Sequence, residues 1–194
     1  MSSRNKILNA IAAHQPDQVA MPVIHHEQVI TFENPFLQFK TIVESIGGKV
    51  VLVPTIQFIQ SEIQNNKSAS KYIINTVSEL GDVPDNLNKL TAAALEKLDT
   101  VYIRATLGVA ENGAVWVSES QMKNRLLPFI CEHLVLIINQ KDIVATMHQA
   151  YNKIDISTEG FGAFIAGPSK TADIEQSLVI GAHGAKNATI YIIE

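Results

Sequence analysis

Ser169, Thr171, Asp173 and His183 are the residues of this chain best suited, by type and spacing, to hold a small acid. The first three lie in Gly167-Pro168-Ser169-Lys170-Thr171-Ala172-Asp173-Ile174-Glu175, and the histidine follows in Gly181-Ala182-His183-Gly184. The run comes directly after the apolar Phe161 to Ala166, so the pattern predicts a strand, a tight turn, a helix and a glycine exit. Gly167-Pro168 stops a ladder, Ser169 or Thr171 can cap the helix, and the freed backbone N–H groups then favour an anion. The ligand such a turn suits is a carboxylate or phosphate; in the plainer reading the same hydroxyls do no more than cap. His183, whose unperturbed pKa lies near neutrality, is a candidate general acid or base, or a ligand contact beside Gly184. Asp173 or Glu175 can orient it, or can simply favour a helix N-terminus.

A second constellation is Glu111-Asn112-Gly113. A desolvated, aligned carboxylate can attack an acyl group. Asn112-Gly113 before the alternating Ala114 to Ser118 is equally what a tight turn entering a strand requires, and the turn is the preferred reading, with Glu111 lining a pocket. Arg104, Lys123 and Arg125 are the cations placed closest to strand ends and loops, where one can neutralise an acidic ligand. His25 and His26 point oppositely on a strand, and Cys131-Glu132-His133 offers only two ligands on one face, so both are read as structural and no metal is expected.

The elements that position these residues follow from periodicity and punctuation. Ser2 or Ser3 caps a helix carrying Ile7, Leu8 and Ile11, which ends near Pro16, and residues 16–33 read as a connector. Asn34-Pro35 opens a helix with the stripe Phe36, Phe39, Ile42, Val43 and Ile46, closed by Gly47-Gly48. Lys49 to Val53 is a strand, and a helix holding Ile56, Ile59 and Ile63 follows it. Further strands are expected at Lys71 to Asn75, Thr100 to Ala105, Ala114 to Val117, His133 to Ile138, Phe161 to Ala166 and Thr189 to Ile193. Helices are expected at Leu90 to Leu98 and Asp142 to Tyr151. Strands and helices in this rhythm make a three-layer α/β/α sandwich with a mostly parallel sheet, in one domain over 1–194 with the α/β core at 34–194. In such sheets ligands sit beyond strand ends, so the turns near Thr106, Glu111 and Ser169 are expected to converge on one polar hollow.

Composition narrows the partners. The 194 residues carry a formal charge of -4 without a lysine or arginine cluster, which argues against nucleic acid and anionic membranes. A single cysteine excludes an internal disulfide and a cysteine-ligated iron–sulfur cluster within this chain. No apolar run reaches the ~18 residues of a membrane span, the N-terminus does not read as a leader, and no dinucleotide-binding glycine loop is present. A cytoplasmic protein with no cofactor of its own is expected.

The G-P-S-x-T-A-D-I-E run with G-x-H-G resembles the C-terminal motif of the LUD domain family, and the likeness extends over nearly the whole chain. LUD proteins usually carry a threonine and then I-A-E-T-G-T at the second constellation. Thr106, Ala110, Glu111 and Gly113 fit that pattern, whereas Asn112 and Ala114 stand where it has threonines. Arg125-Leu126-Leu127-Pro128 is similar to the family's arginine-leucine and proline segment. The resemblance implies a fold related to ribose-phosphate isomerases and CoA-transferases. It also implies an accessory component of bacterial L-lactate oxidation to pyruvate, acting with iron–sulfur partner proteins. Taken with the reading of the residues themselves, the candidate ligand set is Thr106, Glu111, Asn112, Gly113, Arg125, Gly167, Pro168, Ser169, Thr171, Asp173, His183 and Gly184, with Glu111 and His183 as the catalytic candidates. Glu111-Asn112-Gly113 also looks like the S-E-N-G of type I CoA-transferases, so a CoA-transferase-like or sugar-phosphate enzyme using Glu111 is an alternative. A non-catalytic interaction module is another.

Overall fold

The structure, a computed structural model, describes residues 2–17, 19–20, 22–23, 25, 30–69, 71–174 and 177–194. In chain order the elements are α1 (Ser3–Ala13), α2 (Pro35–Ser45), β1 (Lys49–Val53), α3 (Gln57–Ser68), β2 (Ile73–Asn75), α4 (Ala92–Leu95), β3 (Thr100–Arg104), β4 (Leu107–Val109) and β5 (Val115–Ser118). They continue with α5 (Glu119–Met122), α6 (Leu127–Ile130), β6 (His133–Asn139), β7 (Ile143–Val144), α7 (Met147–Tyr151), β8 (Gly162–Ile165), β9 (Lys170–Ile174), β10 (Ser177–Ile180) and β11 (Asn187–Ile193).

Local chemistry sets the best-defined elements. Asn34 accepts a hydrogen bond from the Leu37 N–H at 3.0 Å, Pro35 occupies the first turn of α2, and Gly47 takes the left-handed φ of +88° that ends it. Phe39 and Val43, four residues apart, are fully buried. The strands β3 and β6 are almost wholly buried along their length, as central parallel strands covered on both faces must be.

The central sheet is five-stranded and parallel throughout, in the order β1-β11-β6-β3-β2. On one face α3 lays Ile59 and Ile63 over Tyr102, Val135 and Ile137. On the other, Phe39 and Val43 of α2, Leu95 of α4 and Leu127 of α6 share a core with Val101, Ile103 and Leu136. The expected three-layer sandwich is therefore present.

A second sheet, β7-β4-β5-β8, lies on the α2 side, with Val115 and Val117 turned into the shared core. Leu107 to Val109 form its strand β4. Asp142 to Tyr151, expected as one helix, divides into a 3₁₀ turn, β7 and the short α7, because β7 is drawn into parallel pairing with β4. The expected helix over Leu90 to Leu98 contracts to α4.

The largest correction concerns the segment after Gly167. It is a β-hairpin, β9 paired antiparallel with β10, and no helix starts at Ser169. The Ser169 N–H donates to the Ala185 carbonyl at 2.9 Å, and the Ser169 carbonyl accepts from the Gly181 N–H at 3.0 Å. With both backbone groups engaged by distant residues, the chain stays extended, and the Ser169 and Thr171 hydroxyls cap nothing helical. The helix-terminus reason for anion preference falls with it.

Candidate functional site

β8 delivers Phe164, Ile165 and Ala166 to the turn Gly167-Pro168-Ser169. Gly167 has φ +71°, and a Cβ there would lie 3.2 Å from both the side chain and the carbonyl of Ile46, so glycine is required by conformation and by the closeness of α2. The His183-Gly184 loop, just before β11, meets this turn from the other side. A Cβ on Gly184 would stand 2.9 Å from Ser169 Cβ.

Between the two loops is a cavity of about 260 Å³, whose lining combines Ser169, His183 and Gly184 with the apolar Pro128, Phe129 and Leu134. Gly167 and Pro168 also line it. It lies beside Leu134 and Ala185, at the N-terminal ends of β6 and β11, and not at the C-terminal strand ends where ligands of open α/β sheets usually sit. The position is dictated by β8 and its hairpin, which belong outside the parallel sheet. A serine, a histidine and apolar neighbours around so small a volume suit a compact molecule with one polar end.

Thr171 lies in β9, beyond the lining of this cavity, and Asp173 belongs to the same strand; Glu175 and His26 lie outside the described residues.

Glu111, Asn112 and Gly113 form the β4–β5 turn. Asn112 Oδ1 accepts from the Ala114 N–H at 3.0 Å, the Gly113 N–H donates to the Val109 carbonyl at 2.9 Å, and Gly113 has φ +70°. A Cβ on Gly113 would lie 3.1 Å from Ile42 and 3.2 Å from the Val43 backbone nitrogen, so the turn abuts α2 one helical turn before Gly167 does. None of the three lines the 260 Å³ cavity.

Thr106 and Arg125 are at the opposite end of the smaller sheet, because pairing runs from Val115 with Ile165 to Ser118 with Gly162. Thr106 Oγ1 donates to Gln121 Oε1 at 3.2 Å. Arg125 grips Glu119 with two hydrogen bonds of 2.7 and 2.9 Å and lies over the Phe161 ring at 5.1 Å. That contact holds the Glu119 carboxyl below its ordinary pKa, so Arg125 already has its carboxylate. Arg104 Nη2 likewise donates to Asn139 Oδ1 at 2.8 Å. The three turns read from the sequence as converging thus divide into the cavity, the α2 face and the far sheet end.

A polar cluster that the sequence reading did not single out lies under α3. Tyr102 donates to Glu62 Oε1 at 3.2 Å, Tyr191 donates to Glu62 Oε2, and Asn66 Nδ2 donates to the Tyr102 hydroxyl at 3.1 Å. Burial, reinforced by the carboxylate, raises both tyrosine pKa values above their ordinary range. The signal was Glu62 placed between Ile59 and Ile63 on the inward stripe of α3. Cys131 is buried and its thiol is pushed up to about 12 by that burial, so it is a poor ligand or nucleophile. Among the described residues no three of His, Cys, Asp and Glu are grouped to hold a metal, and no helix is long and apolar enough to cross a membrane.

Residues 91–193, which contain both glycine loops, the hairpin and the β4–β5 turn, match the family model described as the LUD domain. The chain belongs to the LUD domain family. This LUD-family chain is 32% identical over 120 residues to lactate utilization protein C of Shouchella clausii, covering 59% of this chain and 52% of that protein. It is 28% identical over 115 residues to the protein of the same name from Oceanobacillus iheyensis, covering 56% and 49%. The chain thus spans about half the length of these curated relatives. Lactate utilization protein C 1 of Bacillus mycoides matches more fully, at 25% identity over 91% of this chain and 79% of the relative. Among solved structures, a DUF162 family protein from Deinococcus radiodurans superposes with a TM-score of 0.62 at 13% identity, covering 82% of this chain and 96% of that chain, and so shares the fold.

Proposed function

We propose that this LUD domain is a cytoplasmic component of L-lactate utilisation that binds a small monocarboxylate between Gly167–Ser169 and His183–Gly184. The observation that carries this reading is the 260 Å³ cavity lined together by Ser169 and His183 and by Pro128 and Phe129. A 2-hydroxy or 2-oxo acid of three carbons has a carboxylate for the Ser169 hydroxyl, a second oxygen for the imidazole and a methyl group for the apolar lining. The volume argues against nucleotides and acyl-CoA as occupants. The relatives' names support the pathway.

In this reading the domain binds and orients, and electrons pass through partner proteins that carry iron–sulfur clusters. Its one cysteine is buried with a raised pKa, so this chain cannot supply the thiolates such a cluster needs. Titration calorimetry with L-lactate, pyruvate and inorganic phosphate tests the binding step. Saturable heat from lactate or pyruvate whose affinity is weakened in Ser169→Ala supports the assignment; no heat from either acid removes it. Association with cluster-bearing partners is tested separately by co-purification from cells grown on lactate.

A further inference from the structure

The turn that carries Ser169 is held unevenly. Ile165, paired with Val115, is the last residue of β8 with a partner in β5, so Ala166, Gly167 and Pro168 lie beyond that ladder. Pro168 has no N–H to donate, and Gly167, at φ +71°, has no side chain to pack. Support resumes at Ser169, whose N–H donates to the Ala185 carbonyl and whose own carbonyl accepts from the Gly181 N–H, the two residues that flank the His183 loop.

The remaining contact of the turn is with the exit of α2. A Cβ on Gly167 would lie 3.2 Å from Ile46 Cγ1, 3.2 Å from the Ile46 carbonyl oxygen and 3.4 Å from Ile46 Cδ1, and one on Gly47 would lie 3.6 Å from Pro168 Cγ. Among the described residues no hydrogen bond joins this end of α2 to the turn, so the contact is one of shape alone. Ile46 is the C-terminal cap residue of α2 and is half-buried, yet it belongs to none of the buried apolar clusters that hold the sheets and helices together. Its packing serves the turn. Ile42, one helical turn earlier, makes the same kind of contact with a different loop, since a Cβ on Gly113 would lie 3.1 Å from Ile42 Cγ2. Two isoleucines of α2 thus abut two loops, and one of those loops lines the cavity.

We propose that Ile46 is the positioning residue of the ligand turn. Its side chain is the stop against which Gly167 and Pro168 rest, and through them it fixes how far the Ser169 hydroxyl stands from the His183–Gly184 loop. Ile46 itself does not line the cavity. The inference rests on the reading of this turn as the monocarboxylate site, and it gives α2, which lies outside the residues 91–193 that match the LUD model, a part in that site.

Ile46→Ala removes the stop and leaves the lining of the cavity intact. Because the residue acts through Ser169, lactate or pyruvate binding by calorimetry is expected to weaken by at least about threefold and by no more than the about tenfold of losing that hydroxyl. Ile46→Val, which keeps a branched Cβ against Gly167, restores most of the affinity. Ile42→Ala removes the same groups from the same helix and is expected to leave affinity within about twofold, whatever either alanine does to the melting temperature. Amide exchange reads the turn with no ligand present: the Ser169 N–H exchanges faster in Ile46→Ala and at the wild-type rate in Ile42→Ala. A wild-type chain that binds neither acid removes the lactate reading and leaves the exchange rates to decide this one. Unaltered Ser169 exchange in Ile46→Ala, unaltered affinity in that variant of a chain that does bind, or equal losses from Ile46→Ala and Ile42→Ala would overturn the proposal.

Discussion

Gly184 passes so close to Ser169 that a Cβ on the glycine would stand 2.9 Å from Ser169 Cβ and 3.1 Å from its hydroxyl oxygen. Two loops separated by a whole hairpin are thereby held in van der Waals contact, and their meeting forms the polar wall of the candidate site. Gly184→Ala must push Ser169 aside, at about 1–3 kcal/mol if the overpacking is relieved by backbone shifts. The expected result is a lowered melting temperature together with loss of monocarboxylate binding, read by calorimetry. An alanine variant with unaltered affinity would show that the contact does not shape the ligand site.

Ser169→Ala keeps the backbone bonds to Ala185 and Gly181 and removes only the hydroxyl. The expected effect is up to about tenfold weaker lactate or pyruvate binding, the scale of one hydrogen bond, with stability almost unchanged. Calorimetry and thermal melting of the same preparation separate the two.

Glu111→Gln and Arg125→Gln are expected to leave that affinity within about twofold, because neither residue lines the cavity. Arg125→Gln also frees Glu119 from its partner, so the Glu119 carboxyl pKa rises, which NMR titration can follow. Loss of binding in Glu111→Gln would return weight to chemistry at the β4–β5 turn.

Gly113→Ala places a methyl group at φ +70° and 3.2 Å from the Val43 backbone nitrogen. Strain and crowding together are expected to destabilise the domain by about 1–3 kcal/mol, measured by denaturant melts.

Glu62 ties α3 to the sheet through two tyrosines. Tyr191→Phe removes one donor and is expected to cost about 1–3 kcal/mol. Tyr102 and Tyr191 have pKa values raised in the folded state, so their contribution is complete below the unfolded tyrosine pKa near 10 and is lost as pH rises beyond it. Alkaline melts of the wild type should therefore decline more steeply above about pH 10 than those of the double Tyr102→Phe, Tyr191→Phe variant.

Sequence alone determined the elements whose signals are local. The Asn34 cap and Pro35 open α2, and Gly47 ends it. The apolar runs at Lys49 to Val53 and His133 to Ile138 announced strands, of which only β6 is covered on both faces while β1 is a partly exposed edge strand, and the Asn112-Gly113 turn was legible from its own dipeptide. Tertiary structure decided the rest. Ser169 is extended because its backbone partners, Gly181 and Ala185, lie more than ten residues ahead, and no neighbouring residue encodes that choice. Glu62 meets Tyr191 across 129 residues of chain, a distance over which periodicity carries no information. Local hydrogen bonding and steric preference are written residue by residue. Which loops meet, and so which of the candidate polar residues share a cavity, depends on how the two sheets and α2 pack together.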